Sequence, residues 1–316
     1  MSDREDPVIR ELQPLRKLPD VAEVSVSTQA STIDWVGMEE MELPLLDLDP
    51  DKGPVQIPAR VAAFVSLDQQ NQRGIHMSRL YTLLRDRLAS EALNFKFLRA
   101  LVDDMIQSQQ DLSQSARLEL KFEKWRKRPA LKSGEWGWRR YPFKVLLEKT
   151  PMGVRFEIGF EVLYSSTCPA SAALARHDLV ESLLKEFGPG KWSSSKITEW
   201  LDDSRTAVAT PHAQRSRAEI RLNILDGALI TDWSEFVDRA ESAFGTPVQT
   251  AVRREDEQEF ARLNGRNLLF CEDAARRILF AFKDDRRLRG FHVRVEHQES
   301  LHPHNAVASL SWPPTN

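Results

Sequence analysis

The stretch V-R-F-E-I-G-F-E-V-L-Y-S-S-T-C-P, residues 154–169, sets the pattern for the whole chain. Every second residue from Val154 to Val162 is apolar and alternates with smaller or charged residues, which predicts a half-buried β-strand. Pro169 ends the strand, and Cys168, just before it, is one of only two cysteines among 316 residues. A thiolate at a strand end can face a cleft and act as a nucleophile or hold a metal ion.

Similar alternation, interrupted twice by helical periodicity, runs through the rest of the chain. Strands are predicted at Met41–Leu48, Val55–Leu67, 117–123, Tyr141–Lys149, Val154–Val162, Ala218–Ile224, Phe291–Val295 and Ala306–Trp312. Helices are predicted from Met77 onward and at Phe95–Ile106, Trp233–Phe244, Glu255–Leu263 and Cys271–Phe282. Pro58 suggests an edge or a bend in the second strand, because proline cannot donate to a sheet ladder.

The order of these elements is β-β-α-α-β-β, written twice without sequence identity between the halves. This order predicts an α+β fold, in which antiparallel strands carry helices on one face. We expect a loose arm over residues 1–35, a first unit over 36–150 and a second over 151–316. An amphipathic segment at about 172–204 is predicted to be a surface insertion. Free sheet edges are usually paired or covered, which favours oligomerisation.

Composition bounds the class of protein. Hydrophobic residues make up 41% of the chain and charged residues 29%, as in globular proteins, and the net charge is -3. This balance predicts neither nucleic-acid nor membrane partners. Two cysteines cannot build a disulfide framework, so a reducing compartment is expected. No apolar run approaches the ~20 residues of a membrane helix, and we expect a cytoplasmic protein.

Three scattered residues could carry chemistry: Cys168, His212 in P-H-A-Q-R-S, and Glu257 in R-R-E-D-E-Q. Each also has an ordinary explanation, because cysteine is often a small buried hydrophobe, a charged run is often a solvated helix face, and a loop histidine is often merely exposed. Histidines at strand ends and loops suit proton transfer near neutral pH, although turn polarity explains them equally well. The seven histidines include four in the last 25 residues: His292, His297, His302 and His304.

Taken together, several motifs resemble the type IB GTP cyclohydrolases, from about residue 55 to the end. The motifs occur in the family's order: R-G-I-H-M-S-R (73–79), S-T-C-P (166–169), P-H-A-Q-R-S (211–216), R-R-E-D-E (253–257), F-C-E-D-A-A-R-R (270–277) and S-L-H-P-H-N-A (300–306). The resemblance implies a tunnelling fold with two β-β-α-α-β-β units per chain. It also implies a homotetramer with active sites at subunit boundaries.

The resemblance assigns roles to individual residues. Cys168, His212 and Glu257 match the metal ligands, and three protein ligands leave a fourth position for water, as in a catalytic zinc site. Manganese is the other metal implied, and the mixed soft and hard ligand set suits it. Glu272 matches the carboxylate that accepts hydrogen bonds from the guanine base. His76 and His302 match active-site histidines.

This chain departs from the family pattern in three places. The family often has C-P-C-S where this chain has Ala170, so that second cysteine is not expected to bind metal. The family's H-N-Q-R is here H-A-Q-R, with Ala213. The insertion also widens the gap between Cys168 and His212. His177 lies inside the insertion, but no motif matches around it, so we do not assign it as a ligand.

The activity implied by the resemblance is hydrolysis of GTP at C8 to formate and 7,8-dihydroneopterin triphosphate, the first step of folate or pterin biosynthesis. Two alternatives are another tunnelling-fold enzyme, like the NADPH-dependent nitrile reductase with its nucleophilic cysteine, and a non-catalytic purine-binding oligomer. Metal content and a nucleotide assay distinguish the first alternative from a metal-dependent GTP cyclohydrolase. Five basic residues are weaker candidates for holding the triphosphate: Arg73, Arg79, Lys127, Arg128 and Arg215.

Overall fold

The computed structural model describes residues 30–49, 52–203, 206, 208–230 and 232–313. The strands are β1 (Ile33–Asp49), β2 (Gly53–Leu67), β3 (Ala116–Pro129), β4 (Trp136–Thr150), β5 (Gly153–Thr167), β6 (Ala213–Ile224), β7 (Leu288–His297) and β8 (Ala306–Trp312). The helices are α1 (Met77–Ser90), α2 (Phe95–Gln107), α3 (Pro169–Phe187), α4 (Ser194–Asp202), α5 (Ser234–Phe244), α6 (Arg254–Arg266) and α7 (Cys271–Phe282).

The strands form one antiparallel sheet in which the spatial order β1 to β8 equals the chain order. The first four strands with α1 and α2 give the order β-β-α-α-β-β. The second four follow the same plan with one helix more, since α5, α6 and α7 lie between β6 and β7, and they carry α3 and α4 between β5 and β6. The predicted α+β fold with two tunnelling-fold units is therefore confirmed. The predicted division after residue 150 falls in the tight turn between β4 and β5.

The core lies under the helices, and the strand alternation builds it. Phe122, Phe143 and Phe160 occupy one row across β3, β4 and β5, with ring centroids 5.7 and 6.1 Å apart between successive members. All three are buried, and each buried phenylalanine contributes roughly 1.5–3 kcal/mol. One continuous hydrophobic cluster runs through both units. None of the helices in the described part of the chain is long and apolar enough to cross a membrane.

The first strand is longer than predicted. β1 begins at Ile33, not Met41, and a bulge between Met38 and Met41 interrupts its register with β2. Glu40 lies in this bulge with φ 53°. The residues before the bulge are half-buried or exposed, so they show no alternation for the sequence to reveal. Residues 33–35 of the predicted arm are thus strand, and residues 1–29 lie outside the described part of the chain.

Pro58 lies on an interior strand of the sheet, because β2 pairs with both β1 and β3, but it sits at a point where β2 is locally an edge. Pro58 lies opposite Pro44 of β1, and the ladder between β2 and β3 begins only at the next residue, Ala59. The missing N–H of the proline therefore falls where β2 has one neighbour, which is the arrangement that a strand proline tolerates.

The insertion forms two helices, α3 and α4, that lie on the surface. α3 starts at Pro169, three residues before the predicted boundary, because proline suits the first helical position. Only Ala172 and Ala175 of α3 are buried. The apolar residues that predicted the helix are largely solvated, with Leu174 at 69% and Val180 at 53% exposure.

The strand directions give the sheet two distinct ends. The hairpin end carries the connections β1–β2, β3–β4, β5–β6 and β7–β8. The helix end carries the connections β2–β3, β4–β5 and β6–β7, two of which contain the core helices. Because β5 has 15 residues at about 3.3 Å per residue, the two ends are roughly 40 Å or more apart along a strand.

Candidate active site

Cys168 and His212 lie side by side at the hairpin end. Cys168 follows the last residue of β5 and His212 precedes the first residue of β6, so the register of the two strands brings them together. The backbone N–H of Cys168 donates to the carbonyl oxygen of His212 over 3.3 Å, and the N–H of His212 donates to Oγ of Ser171 over 3.1 Å. Cys168 is half-buried. The insertion between Cys168 and His212 in the sequence therefore leaves their backbones in contact.

The imidazole of His212 is held from one side. Its Nδ1 lies 2.8 Å from Oε1 of Gln214, whose Nε2 donates to Oε1 of Glu299 over 3.0 Å. Gln214 is 7% exposed, and the Glu299 side chain is 12% exposed. Nδ1 is thus engaged inside the protein, which leaves Nε2 as the ring nitrogen available to a ligand.

α6, which carries Glu257, is anchored at the hairpin end by its neighbour Asp256. The carboxylate of Asp256 accepts the backbone N–H groups of Lys132 and Ser133, from the β3–β4 connection, and that of Arg253. Burial alone would raise the pKa of Asp256, but these hydrogen bonds hold it well below its usual range. The start of α6 is therefore fixed beside the β3–β4 hairpin.

Glu257 itself is exposed in the first turn of α6. It shares the hairpin end with Cys168 and His212, and α6 packs against β5. Within the described residues, however, no three His, Cys, Asp or Glu side chains converge as a group that could hold a metal ion. The structure thus brings two of the predicted ligands together and places the third at the same end of the sheet, apart from them.

Glu272 lies in the first turn of α7, next to the end of β5. The backbone N–H of Leu269 donates to the carbonyl oxygen of Thr167 over 3.0 Å, which ties the start of α7 to Cys168's strand. Sγ of Cys271 donates to Oε2 of Glu272 over 3.3 Å. A backbone N–H and this thiol lower the pKa of Glu272, while burial raises the pKa of Cys271 to about 11. At neutral pH the pair is therefore a carboxylate and a thiol donor.

Beneath α7 lies a buried pair that the motif comparison missed. The hydroxyl of Tyr164 is 3.0 Å from Nε2 of His297, and the Tyr164 ring stacks on Phe244 with centroids 4.0 Å apart. Burial lowers the pKa of His297 to about 4, against the opposing effect of the Glu272 carboxylate. The strand alternation could have shown that both residues are buried. Tyr164 continues the buried row of β5, and His297 continues the buried row of β7 formed by Phe291, Val293 and Val295.

His76 is not part of this arrangement within one chain. It is 7% exposed and precedes α1, and its backbone N–H donates to Oε1 of Gln109 over 2.8 Å. Both residues lie at the helix end, so most of the length of a strand separates His76 from Cys168 and His212. His76 therefore does not meet these residues within one chain, and its place in an active site at a subunit boundary stays a prediction.

His302 lies at the hairpin end, in the turn between β7 and β8. Its ring stacks on that of His304 with centroids 4.9 Å apart, and both residues are exposed. Nδ2 of Asn305 donates to Oε1 of Glu296 over 3.1 Å, which closes the base of the turn. The turn projects from the same end of the sheet as Cys168.

The five basic candidates for the triphosphate divide between the two ends. Arg73 and Arg79 flank His76 at the helix end, whereas Lys127 and Arg215 lie toward the hairpin end. Nζ of Lys127 lies 4.6 Å from the ring centroid of Trp136. The guanidinium of Arg128 contacts the Tyr141 hydroxyl and forms ion pairs with two carboxylates of α5, Asp238 and Glu241. The Arg128 charge is therefore paired with carboxylates of α5 and fixes that helix against the sheet.

Comparison with known proteins finds a matching family and two similar curated relatives. Residues 18–308 match the family described as Type I GTP cyclohydrolase folE2. The GTP cyclohydrolase FolE2 of Pseudoalteromonas atlantica is 42% identical over 291 residues, which cover 92% of this chain and 95% of the relative. That of Bdellovibrio bacteriovorus is 42% identical over 297 residues, covering 94% and 96%. Among solved structures, uricase from Arthrobacter globiformis matches with TM-score 0.48 and 9% identity over 91% of this chain and 95% of that one.

Proposed function

The chain belongs to the type I GTP cyclohydrolase family, and from this premise we propose that it converts GTP and water into formate and 7,8-dihydroneopterin triphosphate. The family match over residues 18–308 carries the proposal. It is supported by the element order, which assigns Cys168, His212, Glu272 and His302 to the same end of the sheet, the hairpin end. The chain covers 95% of a relative that bears this activity in its name.

We propose one divalent metal per site, Zn²⁺ or Mn²⁺, held by Cys168, His212 and Glu257. The donor chemistry fits, since thiolate, imidazole and carboxylate are all ligands of catalytic zinc. Cys168 and His212 are already adjacent, and Nε2 of His212 is available. Glu257 would have to reach them from its exposed position on α6. When bound, such a metal supplies the Lewis acidity that activates water near neutral pH.

Glu272 would fix the guanine. Its lowered pKa keeps the carboxylate charged, and a carboxylate can accept from the N1–H and 2-amino hydrogens of the base together. The Cys271 thiol donates to Oε2, and Glu272 is exposed, so the carboxylate can still accept hydrogen bonds from a ligand. Anchoring the base here would direct C8 toward Cys168 and His212. His302, on the exposed turn, would donate a proton to the opening imidazole ring.

His76 would join this site from a second copy of the chain. One chain places His76 at the helix end and Cys168 at the hairpin end, so an active site with both needs two chains. This supports the proposed homotetramer with sites at subunit boundaries. β1 and β8 each have one neighbour in the sheet, and such edges are suited to pairing with another copy.

The decisive experiment uses purified protein stripped of metal with a chelator. Zinc or manganese is added back with GTP, and formate and pterin fluorescence after oxidation are measured. Metal-dependent formation of both products is the expected result. Binding of GTP without product under either metal would support the non-catalytic purine-binding oligomer instead. NADPH consumption with a nitrile substrate would support the reductase alternative. The cytoplasmic location remains a prediction, consistent with two free cysteines.

A further inference from the structure

Three polar side chains form a line at the hairpin end: His212, Gln214 and Glu299. The two contacts are 2.8 Å, from Nδ1 of His212 to Oε1 of Gln214, and 3.0 Å, from Nε2 of Gln214 to Oε1 of Glu299. All three side chains are largely buried, with Gln214 at 7% and those of His212 and Glu299 at 22% and 12% exposure.

The backbone fixes this line. Gln214 lies two residues after His212 at the start of β6, so both side chains point to the same face. The backbone N–H of Gln298 donates to the carbonyl oxygen of Arg215 over 3.2 Å, which extends the β6–β7 ladder past the end of β7. Glu299 is thereby placed opposite Gln214, at the root of the turn that carries His302.

The chemistry of the three groups allows one arrangement of protons. A carboxylate only accepts hydrogen bonds, so the amide nitrogen of Gln214 must face Glu299. The amide oxygen then faces His212 and also only accepts. Nδ1 of His212 must therefore carry the ring proton, and Nε2 carries the lone pair in the neutral ring. Oε2 of Glu299, 3.8 Å from Nδ1, favours the same tautomer.

We propose that Gln214 and Glu299 are positioning residues that fix the tautomer of His212 and tie the His302 turn to β6. The first role leaves Nε2 of His212 free to bind a metal ion, and the second holds His302 over the same end of the sheet. The contribution of these two roles to catalysis rests on the proposed function. The tautomer of His212 does not depend on that function.

The tautomer is tested on full-length protein labelled with ¹⁵N-histidine, without added metal, by two-bond ¹H–¹⁵N spectra. Wild type is expected to show His212, assigned by its loss in His212→Asn, with the proton on Nδ1. Gln214→Leu removes the acceptor and should shift the population toward the Nε2–H form. Gln56→Leu, an exposed strand glutamine on β2, is the matched control and should leave the signals of His212 unchanged.

An exchange variant keeps the test valid if Gln214→Leu does not fold. Gln214→Glu combined with Glu299→Gln puts a carboxylate beside Nδ1 and an amide beyond it, so the Nδ1–H tautomer should return. An unchanged Nδ1–H population in folded Gln214→Leu, or its loss in a folded exchange variant, would overturn the proposal.

Zinc affinity, measured by competition with a chromophoric chelator, then separates this inference from the proposed function. Gln214→Leu should weaken binding about 10–100-fold, the usual effect of losing a partner of a ligating histidine, and the exchange variant should recover most of it. If the tautomer responds as predicted but wild type binds no zinc or manganese, the metal site fails while the positioning of His212 stands.

Discussion

The Tyr164 hydroxyl lies 3.0 Å from Nε2 of His297, in a buried layer between the sheet and α7. Burial lowers the pKa of His297 from 6.5 to about 4, so the folded protein keeps this ring neutral where the unfolded chain protonates it. The contribution of His297 to the free energy of unfolding is therefore fully present above pH 6.5, and it is lost as the pH falls to about 4. We expect the free energy of unfolding to fall by about 3 kcal/mol over this window from His297 alone.

Urea unfolding at pH 7, 6, 5 and 4 measures this effect. Carboxylates also titrate in this range, so the informative quantity is the difference between wild type and His297→Gln, which does not titrate. The two curves should converge as pH falls. Parallel curves would show that His297 does not resist protonation.

Replacement of Cys168 by alanine should abolish both cyclohydrolase activity and tight metal binding. The reason is that the soft thiolate supplies the strongest single ligand of the proposed site. Activity and metal content per chain are the measurements. His177→Ala is the control, because this side chain is 70% exposed on α3 and should be dispensable. A fully active Cys168→Ala enzyme would overturn the ligand assignment.

Removing the charge of Glu272 should impair recognition of the base. Glu272→Gln places an amide where two hydrogens of guanine must be accepted, and leaving such groups unpaired costs about 2–3 kcal/mol, so kcat/KM for GTP should fall roughly 30- to 150-fold. Steady-state kinetics with GTP measure this loss. Glu181→Gln, on the exposed side of α3, should have wild-type kinetics.

Cys271 offers a finer test of the same carboxylate. Cys271→Ala removes the donor to Oε2 and should raise KM for GTP several-fold with little change in kcat. Cys271→Ser keeps a donor at this position and should restore most of the affinity. If alanine and serine have equal KM values, the thiol does not hold Glu272 for the base.

Two inactive variants should complement each other. His76→Ala and Cys168→Ala damage opposite ends of the sheet, so a mixed oligomer can form sites in which each chain supplies its intact end. When equal amounts are unfolded together and refolded, about one quarter of sites should carry both intact residues, given random assembly. The specific activity of the mixture is the measurement. An inactive mixture, with mixed oligomers verified by mass spectrometry, would show that His76 does not act across chains.

Most of the fold could be predicted because the strands alternate and the helices show clear apolar faces. The first eight residues of β1 could not be predicted as strand. They lie at a sheet edge beside a bulge, and neither of their two faces is buried. The site was predicted from motifs, which name residues but not the end of the sheet at which each lies. His76 is the example, because its motif matches the family but the residue lies at the helix end of the sheet, opposite to Cys168. Tyr164 and His297 were missed although their alternation places them in the core.

The strand order has a consequence for how the chain reaches this structure. Because each strand pairs only with its predecessor and successor in the sequence, no strand waits for a partner synthesised much later. β1 to β4 with α1 and α2 can pair as they leave the ribosome, since domains fold from the N-terminus during synthesis. β4 then presents a ready edge to which β5 adds through a two-residue turn. The nascent chain thus grows its sheet in one direction and exposes one advancing edge at a time.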